Sequence, residues 1–475
     1  MPDFAYLERF VNFEKDPGTK RDFHLENMRR LLSDFHNPHE GIELVHIAGS
    51  KGKGSTAAYL AALLAAEREE AVGVYGSPHV FDYRERIRAS LPFEGDYKAG
   101  FFPDEAYDHA LALIRRYMDK SDSNATTFEL LTLMAFLVFR SADIRFAVIE
   151  VGLGGRLDST NVIQPLLSVI TPIELEHQKY LGDTIAEIAG EKAGIIKPGI
   201  PVISGKLVPE ALDVVRRRAE QQGSAWHSAD ECIESFNLEY PASMPESAGA
   251  LTAARMTGSP ARDNALLAYA AWHLLRKQTD TPGGDRTSTF KNETIPGMVS
   301  KAFDELLMPG RYELRTIPLS ASQSAAGADD NHSADNLGFP LLLDAAHTPQ
   351  SMSALITVLD SLGSEFSADR LTVIFSCLTD KDHRALLKLL MPRCKQIYLT
   401  GTGNFKRSDV DAIEKAALEL ADATGCRVFR RDSPEYILTA LSERALASEQ
   451  PGGVLATGSF YLLGEIYRAI QRFDR

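Results

Sequence analysis

Residues 43–66 read ELVHIAGSKGKGSTAAYLAALLAA, an apolar run, a glycine-rich turn and an Ala/Leu-rich stretch in direct succession. Leu44–Ala48 has the length and apolar content of a buried strand, and Thr56–Glu69 the composition of a helix. Gly49, Gly52 and Gly54 free the backbone to bend, so that successive N–H groups and the helix N-terminus can face phosphate oxygens, with Lys53 adding a point charge. The strict P-loop pattern is not met, because position 47 is Ile and Gly54 separates Lys53 from Ser55. An ordinary glycine-rich strand-to-helix connection is the competing reading of this turn taken alone.

Outward from the turn, short β-branched runs keep alternating with helix-like stretches, the pattern of parallel α/β architecture. In the first half the strand candidates are Leu44–Ala48, Val72–Tyr75, Phe146–Val151, Leu166–Thr171 and Pro201–Ser204. Helical patterns occupy Thr56–Glu69, Glu105–Tyr117, Phe128–Phe139 and Thr184–Ala193. An Ala/Leu-rich helix, Asn264–Lys277, is followed by the polar stretch Thr279–Gly297 and a short amphipathic segment ending at Leu307. Beyond it, Leu341–Asp344, Thr372–Phe375, Gln396–Leu399, Arg427–Phe429 and Val454–Thr457 again alternate with helical patterns. The expectation is an α/β protein with a large N-terminal doubly wound domain of P-loop type, residues 1–307, and a smaller Rossmann-like α/β domain, residues 308–475. Ser320–Asn336 has almost no apolar side chain larger than Ala and is expected to be a mobile surface loop between two strands.

A chain of 475 residues is long enough for two large domains. Its 44% hydrophobic and 24% charged content argues against wholesale disorder and against a membrane protein. The N-terminal MPDFAYLERFVNFEKD carries acids, and no later run approaches the roughly 20 apolar residues of a spanning helix, so neither export nor a membrane is expected. Cys232, Cys377, Cys394 and Cys426 lie far apart without CxxC spacing, which disfavours a disulfide framework or a zinc site and fits a reducing cytoplasm. A net charge of −14 would repel a phosphate backbone, so nucleic acid is not expected as a partner. An anionic small substrate would need a local basic site.

GSKGKGST, residues 49–56, resembles the GTNGKGST turn of the folylpolyglutamate synthase/dihydrofolate synthase family, within the wider Mur ligase superfamily. The resemblance continues in the family's order through YGSPHVFDYRERIR (75–88), TTFELLTLMAF (126–136), VIEVGLGGRLDSTN (148–161) and EHQKYLGDTIAEIAGEKAGIIKPG (176–199). It then takes in PGRYE (309–313), DAAH (344–347), DKD (380–382) and TGSFYL (457–462), and so covers most of the chain. It implies a monomeric cytoplasmic ligase that uses ATP and two Mg²⁺ ions to join L-glutamate to a folate-type carboxylate. The N-terminal domain would bind ATP and folate, and the C-terminal one would be the glutamate ligase domain.

Residue by residue, the resemblance implies ATP binding by Ser50, Lys51, Gly52, Lys53, Gly54 and Ser55, and by Asn264, Arg311, Asp344 and His347. Asn264 is read as opening its helix, where on its own it would be a cap. Arg311 would offer a planar guanidinium to phosphate. Glu150 would bridge the two Mg²⁺ ions with Ser77 as a ligand of the first, and its place at the end of an apolar strand puts it at the sheet edge where ligands bind. His177 would serve the second ion, and a carbamylated Lys192 would offer Mg²⁺ a further oxygen donor. Taken alone, Lys192 reads as a solvated surface lysine and His177 as a loop histidine. Two departures stand out: Glu176 where the family usually has Asp, and DAAHTP, with Ala345 and Thr348, in place of DGAHNP.

Chemically, a carboxylate must be activated before an amine can displace oxygen from it. The resemblance implies transfer of the ATP γ-phosphoryl to give an acyl phosphate, then attack by the glutamate amine, with Lys53, Glu150, His177 and Lys192 as the catalytic set and the protein supplying position and charge. Folate contacts fall on Leu25 and Glu26, on Thr126, Thr127, Phe128 and Glu129, and on Leu157, Asp158 and Ser159. In FHLENMRRLL (23–32), His24 and Asn27 replace the Gly and Arg of a GLER-like segment, and an ordinary amphipathic helix is the alternative. The expectation is dual activity, on dihydropteroate and on reduced folates. The alternatives are folylpolyglutamate synthesis alone, another Mur-type amino-acid ligase, whose turn is typically spelled GTNGKTT, and a non-catalytic nucleotide-binding module.

Overall fold

Two sheets organise the computed structural model, one in each of two units: the described residues up to Leu306, and those from Met308 onward. The structure describes residues 2–12, 25–90, 100–235, 260–279, 306, 308–318, 338–402, 408–446 and 452–473. His24 and the segment Ser320–Asn336 lie outside them, as does Thr279–Gly297 apart from Thr279.

The first unit contains α1 (Leu25–Asp34), β1 (Glu43–Ala48), α2 (Lys53–Arg68), β2 (Val72–Tyr75), β3 (Ile87–Ser90), α3 (Asp104–Met118), α4 (Thr127–Ser141) and β4 (Phe146–Glu150). It continues with β5 (Leu167–Ile170), α5 (Gln178–Leu181), α6 (Ile185–Ala193), β6 (Val202–Ser204), α7 (Pro209–Gln221), β7 (Trp226–Ser228), α8 (Ala229–Ser235) and α9 (Pro260–Thr279). Its seven strands are ordered β3-β2-β4-β1-β5-β6-β7, all parallel except β3. β1 and β4 are apolar on both faces and almost wholly buried, as a central parallel strand requires. Leu31, Tyr107, Phe136 and Phe139 from α1, α3 and α4 share one core with Ile149, while Ile188, Ala211 and Val215 from α6 and α7 share another with Ile170.

The second unit contains β8 (Glu313–Pro318), β9 (Gly338–Asp344), α10 (Pro349–Leu359), β10 (Thr372–Phe375), α11 (His383–Leu390), β11 (Gln396–Leu399), α12 (Val410–Thr424), β12 (Arg427–Arg430), α13 (Pro434–Leu446), β13 (Val454–Thr457) and α14 (Phe460–Phe473). Its six strands are ordered β12-β11-β10-β13-β9-β8, with only β8 antiparallel. Both sheets are therefore mixed α/β sheets with one antiparallel edge strand.

Three edge strands are missing from the strand candidates: the short β3 and β7, and the six-residue β8, which only the expectation of a loop between two strands implied. β3 (IRAS), β7 (WHS) and β8 (ELRTIP) mix polar and apolar residues because only one side of each is paired. A further correction concerns Asn264. Helix α9 is described from Pro260, so Asn264 lies at least one turn inside the helix and does not open it. Among the described residues no helix is long and apolar enough to cross a membrane.

Candidate active site

The phosphate turn joins β1 to α2, and its geometry explains its spelling. Gly52 sits at φ +85° just before α2, and a Cβ there would fall 2.1 Å from Asn264 Oδ1, so glycine is needed both for the backbone and for the close approach of α9. Ser50 N and Lys51 N donate to Pro172 O at 2.9 and 3.3 Å, and Ser50 Oγ donates to Glu174 O at 3.1 Å. Those two amides anchor the turn to the loop after β5. The donors left for an anion are the N–H groups of the first turn of α2, from Lys53 through Ser55, which have no i−4 carbonyl within the helix.

Two ammonium groups converge here. Lys53 Nζ donates to Gly49 O at 3.0 Å and Lys192 Nζ donates to the same oxygen at 2.9 Å. Lys192 is only 1% exposed, which corrects the solvated-lysine reading, and it also pairs with Glu176 Oε1 at 2.8 Å. Burial lowers the Lys192 pKa to about 8, with Glu176 opposing and Lys53 reinforcing the shift. For Glu176 burial pushes upward, but Lys192 and Lys53 together hold the carboxylate below its ordinary value. The glutamate that stands where the family usually has Asp therefore balances charge directly beside the turn.

Glu150 ends β4, is 5% exposed, and places Oε2 3.4 Å from Ser77 N, so those two residues touch. His177 is exposed, at φ +46° ahead of α5, and close enough to Glu176 to contribute to lowering its pKa. Among the described residues no group of three His, Cys, Asp or Glu side chains forms a ready metal site. The carboxylate and hydroxyl of Glu150 and Ser77 are hard donors suited to Mg²⁺, which commonly completes its shell with water and phosphate oxygens. The His177 imidazole suits it less.

Most polar groups of the folate-directed motifs are engaged in folding. Thr126 and Glu129 form a capping box on α4, with Glu129 Oε2 accepting from Thr126 N at 2.7 Å, and Thr127 Oγ1 donates to Leu7 O at 3.0 Å. Phe128 is the half-buried member of this group. Its ring lies 6.0 Å from that of Tyr75, and a Cβ on Gly152 would come within 2.5 Å of it, so this glycine makes room for the ring. Leu157 and Ser159 are half-buried, while the buried Asp158 accepts from Leu153 N at 2.9 Å, Thr160 N at 3.0 Å and Thr160 Oγ1 at 2.5 Å. Helix α1 packs against the turn Ser159–Val162, with Leu25 half-buried and Glu26 exposed in an ion pair with Arg29 at 3.0 Å.

Asp158 also fixes a histidine that sequence reasoning passed over. The Thr160 hydroxyl gives its proton to Asp158, so its oxygen accepts from His46 Nε2 at 2.9 Å, and His46 must be the neutral Nε2–H tautomer. His46 Nδ1 is buried without a partner, and burial lowers the pKa from 6.5 to about 3. A depressed folded pKa contributes stability that is present above 6.5 and is lost as pH falls toward 3. His46→Gln retains an N–H donor but cannot titrate. Between pH 6.5 and 5 the native chain should therefore lose about 2 kcal/mol more unfolding free energy than the variant. Urea titrations of both at the two pH values check this; parallel losses would remove His46 as an acid-sensitive group.

In the second unit, Arg311 and His347 lie near one aromatic ring, and Asp344 is close enough to Arg311 to feel its charge. The Arg311 guanidinium lies 5.3 Å from the Phe460 centroid and the His347 ring 6.1 Å from it. Asp344 Oδ2 accepts from Tyr312 N at 3.0 Å and Oδ1 from Ala346 N at 2.9 Å. Burial raises its pKa to about 6, against those bonds and Arg311. His347 Nδ1 donates to Ala345 O at 2.7 Å, which fixes its tautomer. Phe460, within TGSFYL, is the residue to which the sequence reading gave no role.

Comparison with known proteins accords with both units. The family model for the Mur ligase glutamate ligase domain matches residues 333–460. The chain is 29% identical over 98% of its length, and 98% of the relative's, to the dihydrofolate synthase/folylpolyglutamate synthase of Bacillus subtilis. A solved folylpolyglutamate synthase from Mycobacterium tuberculosis, complexed with ADP, superposes with a TM-score of 0.70 at 27% identity, covering 99% of each chain. With 30% identity to the folylpolyglutamate synthase of Lacticaseibacillus casei, over 98% of this chain and 97% of that one, the chain belongs to the folylpolyglutamate synthase/dihydrofolate synthase family of the Mur ligase superfamily.

Proposed function

We propose that the chain adds L-glutamate to dihydropteroate and then extends the glutamate tail of reduced folates. It is an ATP-dependent glutamate ligase, and the observation that carries the reaction type is the Lys53 ammonium held on Gly49 O beside the open N–H groups at the N-terminus of α2. That arrangement concentrates positive charge where a triphosphate would lie. The substrate carboxylate takes the γ-phosphoryl of ATP, and the glutamate amine then attacks the acyl phosphate and expels phosphate. Lys53 and the N–H groups of Lys53–Ser55 hold phosphate oxygens, with Asn264 beside them. In the second unit Arg311 is the phosphate-directed cation, and Asp344 and His347 complete the nucleotide set.

Glu150 and Ser77 would hold Mg²⁺, with His177 and a carbamate on Lys192 as further donors; the metal supplies neutralisation of the triphosphate. Forming the carbamate takes two protons from the Lys192 ammonium: one leaves to give the neutral amine, and the second leaves as the nitrogen bonds to the CO₂ carbon. Leu25, Glu26 and the two motifs around Phe128 and Asp158 would frame the folate, with the Phe128 ring available to a flat pterin. Domains of residues 1–307 and 308–475, a monomeric state and a cytoplasmic location belong to the same reading.

Asn27, where the bifunctional pattern has Arg, favours the narrower alternative of tail extension alone. Purified protein with ATP, Mg²⁺ and glutamate should turn over 7,8-dihydropteroate and tetrahydrofolate in separate assays. Turnover of tetrahydrofolate with none of dihydropteroate would sink the dual assignment.

A further inference from the structure

We propose that Glu67 and Trp272 are positioning residues for nucleotide binding: they lock α9 in the register on α2 that lays the Asn264 amide against the phosphate turn. The inference rests on the reading of Asn264 as a nucleotide contact. The two helices run in the same direction. Near their N-terminal ends Asn264 Oδ1 meets Gly52, and near their C-terminal ends Glu67 Oε2 accepts from Trp272 Nε1 at 2.8 Å. Glu67 Oε1 also lies 2.8 Å from Arg276 Nε, and the Arg276 guanidinium sits 4.9 Å from the Trp272 centroid.

These side chains are shielded from water: Trp272 is 1% exposed, and the Glu67 and Arg276 side chains are 12% and 14% exposed. Between the two ends the helices are rich in alanine, with Ala57, Ala58, Ala61, Ala62 and Ala65 buried on α2 and Ala265, Ala268, Ala270 and Ala271 buried on α9. Small side chains interdigitate little, so they fix axial register weakly, whereas a buried carboxylate with one directional hydrogen bond, from Trp272, and an ion pair to Arg276 fixes it more strongly. A slip of one residue along a helix is about 1.5 Å, enough to carry an amide out of hydrogen-bond range of a ligand it once touched. The clasp lies about four turns of α2 from the phosphate turn, so Glu67 and Trp272 act on nucleotide through helix position and not by contact.

The test compares full-length Glu67→Ala, Trp272→Phe, Glu67→Gln, Asn264→Ala and the Glu67→Ala/Asn264→Ala double variant. It measures ADP binding by calorimetry and steady-state kinetics with varied ATP. Glu67→Ala and Trp272→Phe should raise the Kd for ADP and the KM for ATP about tenfold while kcat at saturating ATP stays within about twofold. Glu67→Gln, which still accepts from Trp272, should recover most of the affinity. If the clasp works through Asn264, adding Glu67→Ala to Asn264→Ala changes Kd less than about twofold. Independent, multiplicative effects in the double variant, or unaltered ADP affinity in both Glu67→Ala and Trp272→Phe, would overturn the proposal. Should Glu67→Ala fail to fold, Trp272→Phe and its double variant with Asn264→Ala carry the same test. Unchanged ADP affinity in Asn264→Ala alone would instead overturn the nucleotide role of Asn264.

Discussion

Lys53→Ala is expected to lower kcat/KM for ATP-dependent ligation by about a hundredfold or more while barely moving the thermal midpoint. The stability half of the expectation follows from the bonding. Lys53 is half-buried on the first turn of α2, and among the described residues its side chain hydrogen-bonds Gly49 O, which Lys192 Nζ also reaches, so truncation leaves that acceptor with a donor. The catalytic half follows from charge. The ammonium lies beside the orphan N–H groups of α2, where the proposed function puts the triphosphate, and losing one preorganised donor to a reacting group costs about 10²–10³ in rate. A circular-dichroism melt and an ADP-release assay decide it; unaltered ligation by a folded variant would remove the phosphate-turn assignment.

Glu150→Gln should bring a comparable loss, about a hundredfold or more, that raised Mg²⁺ does not restore. Glutamine preserves the volume and can still accept from Ser77 N, 3.4 Å from Glu150 Oε2 in the native chain, so the loop after β2 keeps its anchor. What disappears is the negative charge of a 5% exposed carboxylate at the C-terminal end of a central strand. Activity measured across a Mg²⁺ titration separates the cases. Near-native activity would show that Glu150 is only a strand-end acid.

The strand, turn and helix of residues 43–68 were legible because a short apolar run and a long Ala/Leu-rich stretch differ plainly in length and composition and the glycines fall where the chain must bend. β3 and β7 were not, since such short edge strands carry mixed side chains and no repeat long enough to read, and β8 was implied only by the loop expected after it, its ELRTIP mixing charged and apolar residues. At the site, sequence spelling located the motifs but not the division of labour within them. The T-x-x-E spacing of Thr126 and Glu129 spells a capping box that the sequence reading passed over, while nothing in TTFE shows that Thr127 bonds the N-terminal segment or that Phe128 remains half-buried. Likewise the single letter at position 192 gives no sign of a fully buried ammonium held by Gly49 O and Glu176. Such burial is a product of tertiary packing around α6. His46 and Phe460 were missed for the same reason, because their partners Thr160, Arg311 and His347 are distant in sequence.

The central claim, that this chain activates a pteroate-type acid with ATP for attack by glutamate, is tested most directly by ADP release measured with each component omitted in turn. The account predicts rapid release only when dihydropteroate or tetrahydrofolate, L-glutamate, ATP and Mg²⁺ are all present, with one glutamate incorporated per ADP. Release at the same rate without the acid, or without glutamate, would contradict it.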